Sequence, residues 1–210
     1  MISRVAFFTN KEEIEAYYGM KTRKEAIFEP SYNIAPGNQL PVITLNEDTK
    51  AQEIARVRWG HSNEAGTDGL TVYKGDLNDF LKTSRFKRCV VPLSGFYIWK
   101  KGDPNKQPFF VRMLNDSVMS AAGLFDKKNE IVTLITAESN TLIQPMSELM
   151  PLLLNRNLSA GWIDEKQSMD ELLSKSENLF MLTDLSVLKV SKKVNDQKND
   201  NPKLIQPIPK

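Results

Sequence analysis

Short runs of β-branched and aromatic residues dominate the first three quarters of the chain, each bounded by Gly, Pro, Asn or Asp. They fall at residues 5–8, 41–44, 54–59, 89–91, 109–113, 118–122 and 131–136, and such runs between turn-formers read as strands. Irregular spacing and few intervening helical patterns argue against alternating βαβ units. The pattern predicts an α+β fold, with a curved, mainly antiparallel, barrel-like sheet and peripheral helices. Three segments have helical character. Asn10 is placed to cap a helix over residues 11–18, with Glu13 answering it and Gly19 ending it. Residues 77–83 read as a short helix with Phe80 and Leu81 inward, and residues 164–176 as a surface helix with Met169, Leu172 and Leu173 on one face.

Composition narrows the picture. The 210 residues are 40% hydrophobic and 26% charged, enough to bury one sizeable core, so one domain over residues 1–210 is expected. Residues 195–210 are polar and proline-bearing, but Leu204, Ile205 and Ile208 predict that this end docks back. The net charge of +2 gives no global basic excess, so local clusters must carry any nucleic-acid claim. A single Cys and a single His allow neither an internal disulfide nor a zinc cluster, and no cofactor is expected. The apolar patch at 5–8 is too short for a signal-peptide core, and no stretch reaches a membrane span, so a cytoplasmic protein without membrane contact is expected.

Several phrases then follow in order: Ser31-Tyr-Asn-Ile-Ala-Pro36, Trp59-Gly60, Arg88-Cys-Val-Val-Pro-Leu-Ser-Gly-Phe-Tyr-Ile-Trp99, Ala122-Gly-Leu-Phe125, Met150-Pro151, and Val194-Asn195 with Asn199-Asp200 leading to Leu204-Ile-Gln-Pro207. Together they resemble the SOS response-associated peptidase family, whose members process abasic sites in single-stranded DNA. The resemblance spans nearly the whole chain and implies a single α+β unit on a barrel-like sheet. It also implies chemistry at a cysteine in position 2, whose amine and thiol together trap the aldehyde of an open abasic sugar. Here position 2 is Ile2. The family's glutamate, aligned from Phe80 without gaps, falls on Val72, and an arginine before it on Leu70. The family's histidine falls on Ser147, and the glutamate of its Gly-Phe-Tyr-Glu-Trp phrase on Ile98. Serine cannot replace an imidazole acid or base near neutral pH. The only thiol, Cys89, reads as a small buried hydrophobe within a strand.

The resemblance implies that Arg4 contacts DNA phosphate and that Asn33 and Trp59 belong to the site. Each has a structural alternative: an ion pair for Arg4, a turn-forming Asx residue for Asn33, and a core indole for Trp59. Lys82, Arg85, Lys87 and Arg88 form one basic cluster, and Lys189, Lys192, Lys193 and Lys198 a second. Either could follow a phosphate backbone, although the first equally describes the solvated face of a strand. His61, without a partnered acid, reads as structural. The leading expectation is a divergent family member related to abasic-site processing and single-stranded DNA binding, without the covalent cysteine chemistry. One alternative is Schiff-base or lyase chemistry through the Met1 amine. The other is a non-catalytic protein-interaction module. The sequence does not specify an oligomeric state.

Overall fold

The computed structural model describes residues 2–22, 29–46, 48–63, 66–68, 70–82, 86–176 and 184–209, and for 61–63 and 66–68 the backbone alone. Its strands are β1 (Val5–Phe7), β2 (Ser31–Ile34), β3 (Gln39–Leu45), β4 (Gln52–Trp59), β5 (His61–Asn63), β6 (Gly66–Asp68), β7 (Thr71–Tyr73) and β8 (Phe86–Leu93). They continue as β9 (Gly95–Trp99), β10 (Pro108–Met113), β11 (Met119–Asp126), β12 (Ile131–Glu138), β13 (Leu149–Pro151), β14 (Leu153–Leu154) and β15 (Leu185–Lys189). The α-helices are α1 (Lys11–Tyr18), α2 (Leu77–Leu81), α3 (Arg156–Ile163) and α4 (Met169–Ser176).

Strands β12, β4, β3, β8 and β11 pair in that order, and β11 pairs back onto β12, closing a ring. Closure leaves these strands without a free edge inside the ring. The pairings are antiparallel except for β12 with β4 and with β7. A second sheet has the order β15-β10-β9-β1-β2. The fold is therefore the mixed, barrel-like α+β arrangement that the hydrophobic pattern predicts.

The long phrase from Arg88 to Trp99 runs through both sheets. Its first half lies in β8 of the ring and its second in β9 of the other sheet, with the break at Ser94. Ser94 fastens that corner: its N–H donates to Ala6 O at 2.8 Å, and its hydroxyl accepts from Phe8 N at 2.8 Å and lies 3.0 Å from Thr9 Oγ1. Both β1 and the following loop are thereby held to the crossover.

Helix α1 has the bounds the sequence predicts. Asn10 Oδ1 accepts from Glu13 N at 2.9 Å, Asn10 N donates to Glu13 Oε2 at 3.2 Å, and Gly19 ends the helix at φ 68°. Helix α2 ends two residues before the predicted limit. Helix α4 begins at Met169 rather than 164, because Asp164 to Gln167 form a turn, with Gln167 N donating to Asp164 O. Helix α3 has no counterpart among the predicted elements. Asn155 caps it, Trp162 is fully buried, and a Cβ on Gly161 would lie 2.8 Å from Gln167 Oε1.

The C-terminal stretch packs on the outer face of the second sheet. Val190, Val194 and Leu204 form a buried cluster with Ala6, Tyr97 and Phe110. Val190 bridges Pro207, and Ile208 N donates to Lys189 O at 2.9 Å. No helix among the described residues is long and apolar enough to cross a membrane.

Candidate functional site

The recurring phrases meet one another in space. Gly37 N donates to Trp59 O, and Trp59 N to Asn38 O, both at 2.8 Å, which joins the first phrase to the second. Asn33 Nδ2 lies 3.1 Å from Val194 O, 3.1 Å from Asp196 O and 2.9 Å from Asn199 O, joining the first phrase to the last. Asp200 accepts from Ser31 Oγ at 2.8 Å and from Tyr32 N. Tyr97 Oη donates to Tyr32 O at 2.6 Å, and Trp99 Nε1 to Asn195 Oδ1 at 2.9 Å. These hydrogen bonds tie the first, second, third and last phrases to one another, which gives those four a structural role.

Ile2 is 1% exposed, in the largest apolar cluster, with Trp59, Leu70, Ile143 and Met150 among its members. Trp59 is fully buried there, and its Nε1 donates to Leu70 O at 2.9 Å. That indole offers no face for stacking on a base. Val72 belongs to a different cluster, with Ile135, Leu152 and Trp162, so the described packing places Leu70, and not Val72, in the cluster of Ile2. Asn33 is directed toward the C-terminal loop, while its neighbour Ile34 packs in the cluster of Ile2. Ser147 Oγ donates to Leu149 O at 2.7 Å, a local bond that leaves it no free proton to offer. Ile98 is a buried core residue. Cys89 is fully buried, and burial pushes its thiol pKa upward, which removes the thiolate needed for nucleophilic attack.

The first basic cluster turns out to be largely engaged. Arg88, only 7% exposed, donates from Nη2 to Asp164 O at 2.6 Å and Gln167 O at 3.0 Å, and its guanidinium sits 5.5 Å from the Trp162 ring centre. It therefore fixes the turn between α3 and α4 and does not face a phosphate backbone. Lys82 pairs with Asp79 and Lys87 with Glu165. Arg85, Met1 and the side chain of His61 lie outside the described residues. Arg4 is different. It is half-buried, donates to Ser3 O at 2.7 Å, has its Nε buried without a partner, and has no carboxylate within 4.0 Å among the described residues. Burial lowers its pKa from the ordinary value, but a guanidinium remains a cation, and this one lacks an anion.

A cleft of about 240 Å³ beside Met150-Pro151 contains a polar group that the sequence did not disclose, lined by Lys74, Glu138, Ser139 and Asn140. Tyr73 Oη donates to Glu138 Oε1, and Lys74 Nζ is 2.9 Å from Glu138 Oε2. The parallel pairing of β7 with β12, which sets Tyr73 opposite Thr136, brings them together. The Tyr73 hydrogen bond, then Lys74, lowers the Glu138 pKa to about 2. So acidic a carboxyl stays ionised at neutral pH and serves as an acceptor, not as a general acid. Because its folded pKa lies below the unfolded value, roughly 4.3, its stabilisation is present above that value and is lost as pH falls toward about 2. Tyr73→Phe should raise the Glu138 pKa toward the ordinary range, measured by carboxyl-carbon NMR titration. An unchanged midpoint would show that Lys74 alone holds the carboxylate. Among the described residues no group of His, Cys, Asp and Glu is arranged to hold a metal ion.

Comparison with known proteins agrees with this geometry. A solved structure from Bacteroides thetaiotaomicron superposes with a TM-score of 0.79, at 19% identity, over 98% of this chain and 99% of that one. The abasic site processing protein YoqW of Bacillus subtilis is 26% identical, covering 98% of this chain and 99% of its own length. The abasic site processing protein HMCES of Xenopus tropicalis is 24% identical over 86% of this chain and 67% of its own length. The profile described as SOS response associated peptidase (SRAP) matches residues 1–197. With that match across most of its length, and the interlocked phrases that define its two sheets, the chain belongs to the SRAP family.

Proposed function

We propose that this protein binds single-stranded DNA at or near abasic sites and acts there without a covalent bond from residue 2. The carrying observation is the seat of Ile2, an aliphatic side chain 1% exposed within an apolar cluster. The other residues aligned with the family's reactive groups supply no replacement: Val72 is apolar and buried, and the Ser147 hydroxyl is bonded to its own loop. The relatives' shared name, abasic site processing, supports the DNA substrate. Arg4 supplies a cation for one phosphate.

Incubation with an abasic single-stranded oligonucleotide, followed by a denaturing gel, tests the reading. No denaturant-resistant adduct should form, while native binding should be salt-sensitive. Arg4→Gln should weaken it about tenfold, the scale of one charge-assisted hydrogen bond. A robust adduct from the wild-type chain would overturn the non-covalent part of the reading. A product trapped only with borohydride would replace it with amine chemistry at the N-terminus.

A further inference from the structure

The loop joining β9 to β10, residues 100–107, carries three lysines and Asp103. Residues 189–203 carry five lysines with Asp196 and Asp200. The two stretches lie side by side, since Asn195 Nδ2 donates to Lys106 O at 3.1 Å and Gln107 Nε2 to Val190 O at 2.8 Å. Their combined net charge is +5, against +2 for the whole chain, so the rest of the protein is negative by three. The excess belongs to these two adjoining stretches.

The three carboxylates are engaged by the backbone or a neighbouring strand: Asp103 accepts from Asn105 N and Gln107 N, Asp196 from Lys198 N, and Asp200 from Ser31 Oγ and Tyr32 N. The two backbone bonds lower the Asp103 pKa, and the charges of Lys192 and Lys100 lower it further. All eight lysines are exposed. Among the described residues none of the five in 189–203 has a carboxylate within 4.0 Å, and in the other loop Lys101 alone has one, Glu148 at 3.7 Å. Partly exposed aromatics border the same surface. Trp99 is bonded to Asn195, and Tyr32, next to the Asp200 contact, stacks on Phe8 with ring centres 5.2 Å apart. Basic side chains that follow phosphates, with aromatic rings beside them, suit a single strand, whose unpaired bases can stack on the rings.

We infer that this C-terminal face is a track for single-stranded nucleic acid, independent of damage, which holds the strand on the side of the protein that carries Asn33 and Asp200. It rests on the nucleic-acid reading above and extends it, because the track would bind undamaged strand as well as the lesion.

The probe is a labelled oligo-dT of about 15 nucleotides, near the upper site size of one binding module, followed by fluorescence anisotropy across a salt series. The variant Lys192→Gln/Lys193→Gln/Lys198→Gln should lose at least about tenfold in affinity at low salt, and its log–log salt slope should flatten by about two, the contribution of three phosphate contacts on a single strand. Lys127→Gln/Lys128→Gln, in an exposed turn elsewhere, should stay within about twofold of wild type. If the triple variant keeps affinity and slope while Arg4→Gln loses binding, the track is wrong and the proposed function stands. If wild type fails to bind oligo-dT and also fails to bind the abasic strand, both fall. Poly-glutamate binding as tightly as oligo-dT would overturn the nucleic-acid track in favour of an acidic protein partner.

Discussion

Asn33→Asp should loosen the C-terminal segment and destabilise the protein by about 3–5 kcal/mol at neutral pH, the scale of an uncompensated buried charge. Asn33 is 3% exposed, and its Nδ2 faces three backbone carbonyls, at Val194, Asp196 and Asn199. In the variant an oxygen would face those three oxygens with no donor between them. Only the protonated acid could bond there, so burial and repulsion would lift its folded-state pKa above the unfolded value of roughly 3.9. A raised folded pKa means that stability is fully present below the unfolded pKa and is lost as pH rises through the folded one. Urea midpoints of variant and wild type should therefore converge near pH 4 and separate by pH 7. Amide hydrogens of 194–204 should exchange faster in the variant at the higher pH. Equal destabilisation at both pH values would mean that the amide's shape matters more than its protons.

A single added methyl at Gly95 should have an effect of similar size. A Cβ there would lie 2.3 Å from Phe110 Cζ, 2.7 Å from Phe110 Cε2 and 2.5 Å from Val111 O. Phe110 is fully buried and packs on Tyr97 at 4.9 Å between ring centres, so the ring cannot swing away, and the carbonyl belongs to a neighbouring strand. Gly95→Ala should cost about 3 kcal/mol or more, at the upper end of overpacking penalties. Gly102→Ala, at φ 76° with nothing within 4 Å of the new Cβ, should cost about 1 kcal/mol. Adding Phe110→Leu to Gly95→Ala should recover part of the loss. A double variant as unstable as the sum of its parts would place the clash on the Val111 carbonyl instead.

These two positions show what a one-dimensional pattern can carry. Helix α1 was legible to the residue because its capping residues are local: Asn10, Glu13 and Gly19 act within one turn of the helix ends. The strands of the ring were legible as well, since alternation and bounding turns are short-range features. Helix α3 was not, because its justification is the close approach of Gly161 to Gln167 and the burial of Trp162, neither of which leaves a periodic trace in eight residues. The break at Ser94 was hidden for a similar reason. A strand that changes sheets keeps its β-rich composition, and only Ala6, Phe8 and Thr9, more than eighty positions away, mark the corner.

The site was legible in part. Motif order identified the family, but side-chain direction depends on packing that sequence does not display. Asn33 turned out to face a loop 161 residues later, Trp59 to be a core indole, and Arg88 to hold a turn between helices. Arg4 kept its candidacy because a cation without an anion is a structural observation. The Tyr73, Lys74 and Glu138 group could not have been found by spacing, since it depends on a parallel pairing across a separation of 65 residues.

The distance along the chain from Asn33 to its acceptors also sets a clock. A ribosome adds about 5–20 residues per second, so the 161 residues that separate Asn33 from Val194 take roughly 8–30 s to make. During that interval β1 and β2 can form, yet the side-chain amide of Asn33 and the Tyr32 N–H lack their partners at 194–200, and the cluster of Tyr97 and Phe110 lacks Val194 and Leu204. The nascent protein thus carries an unfinished apolar and polar seam until residues 194–204 emerge. Termination after Glu138, once all five ring strands exist, but before Val194 would leave that seam open permanently.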